Sequence, residues 1–94
     1  MSELVGKLIA VLFLKPDYEG NLTKEAIQGK VVKVENNLLF LTDVFKLTTN
    51  MGIRAERCYD QVISTCSLLF VKMEIIPDDR FFRYPYFEDF HLQR

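Results

Sequence analysis

The sequence predicts a small all-β domain, and three observations support that prediction. Apolar residues make up 49% of the 94 residues, which is enough for one modest core and one domain. Apolar runs rich in β-branched and aromatic residues follow one another at intervals of roughly 10–15 residues, the spacing of strands joined by short turns. Asparagine, glycine and proline fall between the runs, where turns need them. This spacing favours a small barrel or sandwich over strand–helix–strand units, and five strongly bent strands fit a small barrel best.

Five runs have the composition of strands. In chain order they are KLIAVLFLK (7–15), AIQGKVVKVE (26–35), LLFLTDVFKLT (38–48), AERCYDQVIS (55–64) and LLFVKMEII (68–76). Glycine and asparagine tolerate positive φ, so they predict turns between the runs. These turns are DYEGN (17–21), Asn36-Asn37 and TNMG (49–52).

Several of these runs carry further information. The second contains Gly29, and a glycine inside a strand indicates a sharp bend or the close approach of another backbone. The run at 38–48 is long for one strand, which suits a strongly bent one. The run at 55–64 is the most ambiguous and is also compatible with a helical turn at its start. The last run alternates in the manner of a half-buried strand, with one face made of Leu69, Val71, Met73 and Ile75.

The composition changes after residue 76, which divides the chain into a barrel domain at 1–76 and an extension at 77–94. The extension holds half of the aromatic residues of the chain, namely Phe81, Phe82, Tyr84, Tyr86, Phe87 and Phe90. Exposing a large apolar side chain costs roughly 1.5–3 kcal/mol, so we expect these rings to pack on something. Three surfaces are possible: the outside of the barrel itself, a second copy or another protein, or the bases of RNA.

Charge and the scarcity of reactive side chains argue against several function classes. The net charge is −1 at pH 7, whereas strong non-specific binding to the nucleic-acid backbone needs clustered lysine and arginine. Cys58 and Cys66 make no disulfide framework, and with His91 they fall short of the usual ligand set of a zinc site. Neither Ser64 nor Cys66 has a histidine or lysine close by in sequence to activate it. We therefore predict no enzyme, metal or cofactor.

No run approaches the ~20 apolar residues of a membrane span. The first apolar run also lacks the cleavage site of a signal peptide. We expect an intracellular protein, cytoplasmic or nuclear.

The predicted strand order resembles the Sm/LSm family, whose members are small five-stranded barrels that build rings on RNA. The first part of the resemblance is IQGKVVKVENNLLFLTDV, in which Gly29 lies where the family keeps a glycine in its bent second strand. Val31, Val34 and Leu41 fall at apolar positions of the first Sm motif. The second part is VISTCSLLFV, which matches the length of the second Sm motif without a gap. The resemblance implies an Sm-like, or more broadly SH3-like, barrel.

The base-binding residues of the family are missing from this sequence. The turn that carries them in the family is shortened here to residues 35–37, and the stacking residue is absent. Ser64 stands in place of the family's arginine and Thr65 in place of its glycine. Base stacking contributes ~1–3 kcal/mol per base, so the resemblance implies a degenerate RNA pocket at Asn36, Asn37, Ser64 and Thr65 that does not hold uridine in the usual way.

The resemblance also implies how such a domain meets its partners. Sm-like members of assembly complexes, such as the Gemin proteins, keep the barrel and its strand-edge pairing without the RNA pocket. Neighbours in the family join through their fourth and fifth strands, which here correspond to residues 58–63 and 68–73. The side chains predicted at such contacts are Cys58, Tyr59, Val62, Ile63, Leu68, Phe70, Val71 and Met73 on the strands, and Phe81, Phe82, Tyr84, Tyr86 and Phe87 on the extension.

We therefore expect a non-catalytic interaction module, a scaffold or dimerisation unit in an RNA-processing or small-RNA complex such as a germline piRNA complex. It would form a homodimer or heterodimer rather than a seven-membered ring. One alternative is direct binding of single-stranded RNA through Lys46, Arg54, Arg57 and the aromatic rings of the extension. The other is a Tudor-like or SH3-like barrel that binds a peptide, with the tyrosines of the extension caging a methylated cation.

Overall fold

The computed structural model describes residues 2–16, 18–48, 54–83 and 86. These residues form one antiparallel sheet of six strands, so the predicted all-β class is confirmed. The strands are β1 (Leu8–Pro16), β2 (Leu22–Glu35), β3 (Leu38–Thr48), β4 (Arg54–Cys58), β5 (Gln61–Ser64) and β6 (Phe70–Ile75). Two short 3-10 helices accompany them, at Ser2–Leu4 and at Asp79–Phe81. In this part of the chain, no helix is both long enough and apolar enough to cross a membrane.

The sheet runs in the order β6-β1-β2-β3, and β3 then pairs on its outer side with two short strands. The second half of β3 pairs with β4 and its first half with β5. β4 and β5 are therefore two parts of one edge strand, which breaks at Tyr59 and Asp60. The Thr42 hydroxyl donates to the Asp60 carboxylate at 3.0 Å, which fixes the chain at the break.

Three predictions about the sheet need correction. The sheet has six strands rather than five, because the fourth is divided at residues 59–60. The helical turn considered for the start of 55–64 is wrong, because these residues pair with β3 as β4. The sheet is also open and not closed into the predicted barrel, since among the described residues no backbone pairing joins β6 to β4 or β5.

The turns agree with the sequence pattern where the structure describes them. Glu35 pairs directly with Leu38, which leaves Asn36 and Asn37 as a two-residue hairpin turn. Asn36 has φ of 55° and Gly20 has φ of 84°, so both residues use the left-handed region that asparagine and glycine tolerate. The third predicted turn, at 49–52, lies outside the described residues.

Both faces of β1 are buried, and this explains its unbroken apolar run. On the inner face of the bent sheet lies a core formed by Leu4, Ile9, Val11, Phe13, Ile27, Val31, Leu39, Leu41, Val44 and Ile63. On the outer face lies a second cluster, formed by Ala10, Leu12, Ala26, Leu47, Ile76 and Phe82. Strand residues alternate between faces, so β1 contributes its odd-numbered positions to the inner core and its even-numbered ones to the outer cluster.

Two register shifts of β2 against β3, one between Gln28 and Lys30 and the other between Val31 and Lys33, let the long strands bend. The register of β2 against β3 shifts beyond Gln28, opposite Asp43, whose φ of 55° marks a bulge. Gly29 lies at this shift and meets the backbone and side chains of β3 at close range, so the predicted close approach is confirmed. The bend wraps the inner face around the core.

The predicted alternation of the last strand is only partly right. The register of β1 against β6 shifts between Leu12, which faces Lys72, and Phe13, which faces Phe70. Val71 is the extra residue of this bulge, so Phe70 and Met73 both pack against the inner core although they differ in parity. Leu69, Val71 and Ile75 are exposed, so only Met73 of the predicted face is part of the core.

Residues 78–83 and 86, which we call the strap, lie against the outer face of the sheet. Phe82 is only 9% exposed and packs in the outer cluster, and the partly buried Tyr86 packs beside it. The sequence left three surfaces open for the aromatic rings of the extension. Phe82 and Tyr86 pack on one of them, the outside of their own domain. Tyr84, Phe87 and Phe90 lie outside the described residues.

Candidate protein-interaction edges

The strand β5 forms one free edge of the sheet. The N–H of Thr65 donates to the carbonyl of Asn37 at 2.9 Å, and hydrogen-bonding directions alternate along a strand. The N–H and C=O groups of Val62 and the N–H of Ser64 therefore point away from β3, toward the outside of the sheet, whereas the Ser64 carbonyl accepts the N–H of Ser67 at 3.4 Å within the following turn. The Val62 side chain is 54% exposed and lies next to Val32 and Phe40, with which it lines a shallow apolar depression. This edge offers main-chain hydrogen bonds beside an apolar patch.

The strand β6 forms the opposite edge. Ile76 donates its N–H to the carbonyl of Leu8 at 2.8 Å, so alternation directs the polar backbone groups of Ile75 and Met73 away from β1. Val71 and Ile75 are each 45% exposed at this edge. The Tyr86 hydroxyl donates to the outward carbonyl of Ile75 at 3.1 Å. The strap thus occupies one acceptor of this edge, and no other described strand pairs with its outer side.

The four residues predicted to form a degenerate RNA pocket lie where the β2–β3 turn meets the end of β5. The backbone N–H of Thr65 donates to the Asn37 carbonyl, and the Thr65 hydroxyl lies 3.4 Å from the same oxygen. The Ser64 hydroxyl oxygen accepts the N–H of Cys66 at 3.2 Å. These hydroxyl groups therefore shape the turn itself. No planar cation or ring for stacking on a base is found among these four side chains.

The predicted interface side chains divide according to their exposure. Tyr59, Val62, Leu68, Val71 and Phe81 are exposed, while Cys58, Phe70, Met73 and Tyr86 are half-buried and pack against the core or the outer cluster. Ile63 and Phe82 are buried within the domain, so neither side chain is accessible to a partner in this structure. Tyr84 and Phe87 lie outside the described residues. Contact with a partner stays a prediction for all of them.

An arginine clamp is the feature that sequence reasoning missed. The Arg83 guanidinium donates to both carboxylate oxygens of Asp43, at 2.7 and 2.9 Å. Its central carbon lies 4.4 Å from the centre of the Phe45 ring and 5.2 Å from that of Phe82. The backbone N–H of Arg83 donates to the side-chain oxygen of Gln28, which is fully buried. Charge-assisted hydrogen bonds and cation–π contacts thus join the strap to the sheet.

An open depression of about 550 Å³ lies at the break between β4 and β5. Its lining is formed by Thr42, Asp43, Arg57, Cys58, Tyr59 and Asp60. Among the described residues Tyr59 is the single aromatic residue of that lining, whereas a cage for a methylated cation needs several rings. Cys58 and Cys66 are both free thiols. Within the described ranges, no group of three or more histidine, cysteine or acidic side chains is placed to hold a metal ion.

Positive charges on the described surface alternate with negative ones. Arg57 lies 3.8 Å from the Asp43 carboxylate, and Lys46 lies 3.9 Å from that of Glu25. Lys72 and Glu74, neighbours on one face of β6, are 3.6 Å apart. Phosphate backbone is held by clustered positive charge, whereas each of these three positive side chains lies beside a carboxylate.

Comparison with models of protein families, with curated proteins and with solved structures finds no match for this chain.

Proposed function

We propose that this chain is a non-catalytic protein–protein interaction module that pairs with its partner through the edges of its sheet. The observation that carries the proposal is that both edges of the sheet, at β5 and at β6, direct backbone N–H and C=O groups outward beside exposed apolar side chains. Edges of this kind bind by adding a strand, because main-chain hydrogen bonds give affinity while alternate side chains give selectivity.

The topology supports an Sm-like identity for the domain. The strand order is β6-β1-β2-β3, followed by the divided strand β4 and β5. The two edges of the sheet therefore contain residues 58–63 and 68–73, the segments that the resemblance assigns to partner contacts. We infer that the domain acts as a scaffold or dimerisation unit in an RNA-processing or small-RNA complex within the cytoplasm or nucleus. RNA is then reached through a partner, since the hydroxyl groups of Ser64 and Thr65 are engaged within their own turn.

We expect the chain to self-associate, and proline variants to reveal which edge it uses. Val62→Pro and Ile75→Pro each remove an outward N–H from one edge, β5 and β6 respectively, without removing a hydrogen bond of the domain's own sheet. Sedimentation equilibrium should give a mass near twice the 11.0 kDa of one chain for the wild type. The variant at the edge in use should return to the monomer mass.

Far-UV circular dichroism and melting temperature serve as controls that each proline variant keeps its fold. Wild type and both variants sedimenting alike as monomers would contradict self-pairing through strand edges. Titration with labelled oligo-uridine at low salt tests the alternative function. Binding tighter than micromolar would favour a direct RNA binder over an interaction module.

A further inference from the structure

The β6 edge carries two opposite charges two residues apart. Lys72 and Glu74 lie on the same face of the strand and are both partly exposed. Charged side chains on an edge strand disfavour pairing with most other strands. An alternating pair of opposite charges is different, because it is complementary to its own reversed copy.

We propose that β6 pairs antiparallel with β6 of a second copy of this chain, around a two-fold axis at Met73. The inference rests on the proposed function of edge pairing and names its partner and register. In this register each Lys72 lies directly opposite Glu74 of the second copy, so the interface contains two opposite-charge pairs. Directly opposite residues of an antiparallel pair have Cβ atoms about 4.5–5.5 Å apart, close enough for these charges to attract.

The backbone and the apolar side chains agree with this register. The N–H and C=O groups of Met73 point outward, as deduced from the Ile76–Leu8 hydrogen bond, so the two Met73 residues can exchange both hydrogen bonds at the axis. The same register sets Ile75 opposite Val71 of the second copy, and both of these apolar side chains are exposed in the single domain. A C2 interface of this kind closes on itself and stops at the dimer.

The alternative edge, formed by β4 and β5, offers a weaker signal for self-recognition. Gln61–Ser64 include no charged side chain. Arg54 and Glu56 of β4 repeat the charge spacing, but no large apolar side chain of β4 is exposed beside them as Val71 and Ile75 are on β6. The strap adds a restraint at the β6 edge, because the Tyr86 hydroxyl donates to the outward carbonyl of Ile75. An incoming strand competes for that acceptor, so Tyr86→Phe should tighten the dimer.

Charge reversal tests the register. Lys72→Glu places like charges opposite each other twice, once on each side of the axis, and Glu74→Lys does the same. We expect either change to raise the dimer dissociation constant at least about tenfold. The double variant Lys72→Glu/Glu74→Lys regenerates both opposite-charge pairs with their signs exchanged, so it should return the constant to near the wild-type value.

A matched control lies elsewhere on the same domain. Lys33 and Glu35 form a similar exposed pair, 3.5 Å apart, on β2. Lys33→Glu changes the net charge as Lys72→Glu does but is remote from the β6 edge in the sheet order, so the dissociation constant should stay unchanged. Sedimentation equilibrium of the full chain, at low salt where charge pairs are least screened, measures all of these variants.

The outcomes separate this inference from the function on which it rests. A dimer that Val62→Pro dissociates and that the charge reversals leave intact overturns pairing through β6 while edge pairing stands. A dimer weakened by both single reversals but not restored by the double variant overturns the register. A wild-type chain that stays monomeric overturns both the register and self-pairing.

Discussion

Removal of residues 77–94 is expected to make the domain aggregate or unfold, and Phe82→Ala in the full chain should cost about 3 kcal/mol of unfolding free energy. Phe82 covers the outer cluster, where Leu12 and Leu47 are buried on the sheet. Without the strap these side chains meet water. A loss of this size is a large fraction of the roughly 5–15 kcal/mol that stabilises a domain.

Thermal and urea unfolding of the full-length variants measure the effect, and Phe81→Ala is the matched control. Phe81 is the neighbouring ring, but it is 43% exposed and outside the outer cluster, so its loss should cost less than about 1 kcal/mol. The truncated chain is compared by its sedimentation and solubility. A truncated chain that stays soluble, with the mass and melting temperature of the wild type, would mean that the strap neither covers the sheet nor affects assembly.

The apolar packing of Phe82 and Tyr86 holds the strap against the sheet, and the polar contacts of the arginine clamp fix its position there. Asp43 is carried at the bulge of β3 with positive φ, and Arg83 also has positive φ, at 73°. Both residues adopt a backbone conformation that ordinary side chains disfavour. Their bidentate ion pair, and the hydrogen bond from Arg83 to the buried Gln28, offset that cost by holding the strap in one register on the outer face.

The apolar runs and turn residues of the sequence predict those strands and turns that depend only on residues close together in the chain. The third strand was expected at 38–48 and is found at Leu38–Thr48, because its apolar run begins directly after an asparagine turn. The break at residues 59–60 depends instead on Thr42 across the sheet, and the bulge at Val71 depends on the register against β1. Neither partner is near in sequence, so neither irregularity leaves a local signal.

The same distinction holds for the candidate site. The resemblance to the Sm motifs placed residues 36–37 and 64–65 in a degenerate pocket, and the fold does bring them together, since the turn and the end of β5 share a hydrogen bond. The arginine clamp joins residues 40 positions apart. Its parts, an arginine among aromatic residues and an aspartate in a strand, look like ordinary surface residues in sequence. Only the fold shows that Arg83 lies between two rings and a carboxylate.

Gly29→Val is the second substitution with a large expected effect, because the close approach of β2 and β3 gives even a Cβ atom at this position only tight contacts. A Cβ atom on Gly29 would lie 3.1 Å from the Cβ of Leu41, 3.2 Å from the carbonyl oxygen of Thr42 and 3.3 Å from a methyl group of Val44. Alanine alone should cost about 1–3 kcal/mol by overpacking, and valine should cost more.

The comparison of alanine with valine shows whether packing or backbone freedom makes Gly29 necessary. Replacing glycine with alanine at an unstrained position stabilises a protein by about 0.4–1 kcal/mol through the unfolded state, so a backbone effect has the opposite sign to the expected loss. Lys30→Ala, at the next and exposed position, should stay within about 0.5 kcal/mol of wild type in the same urea titration. If Gly29→Ala is neutral or stabilising, the two strands have relaxed apart and the bend of the sheet does not depend on this contact. If it is destabilising and valine more so, the curvature that encloses the inner core depends on a backbone approach that only glycine permits.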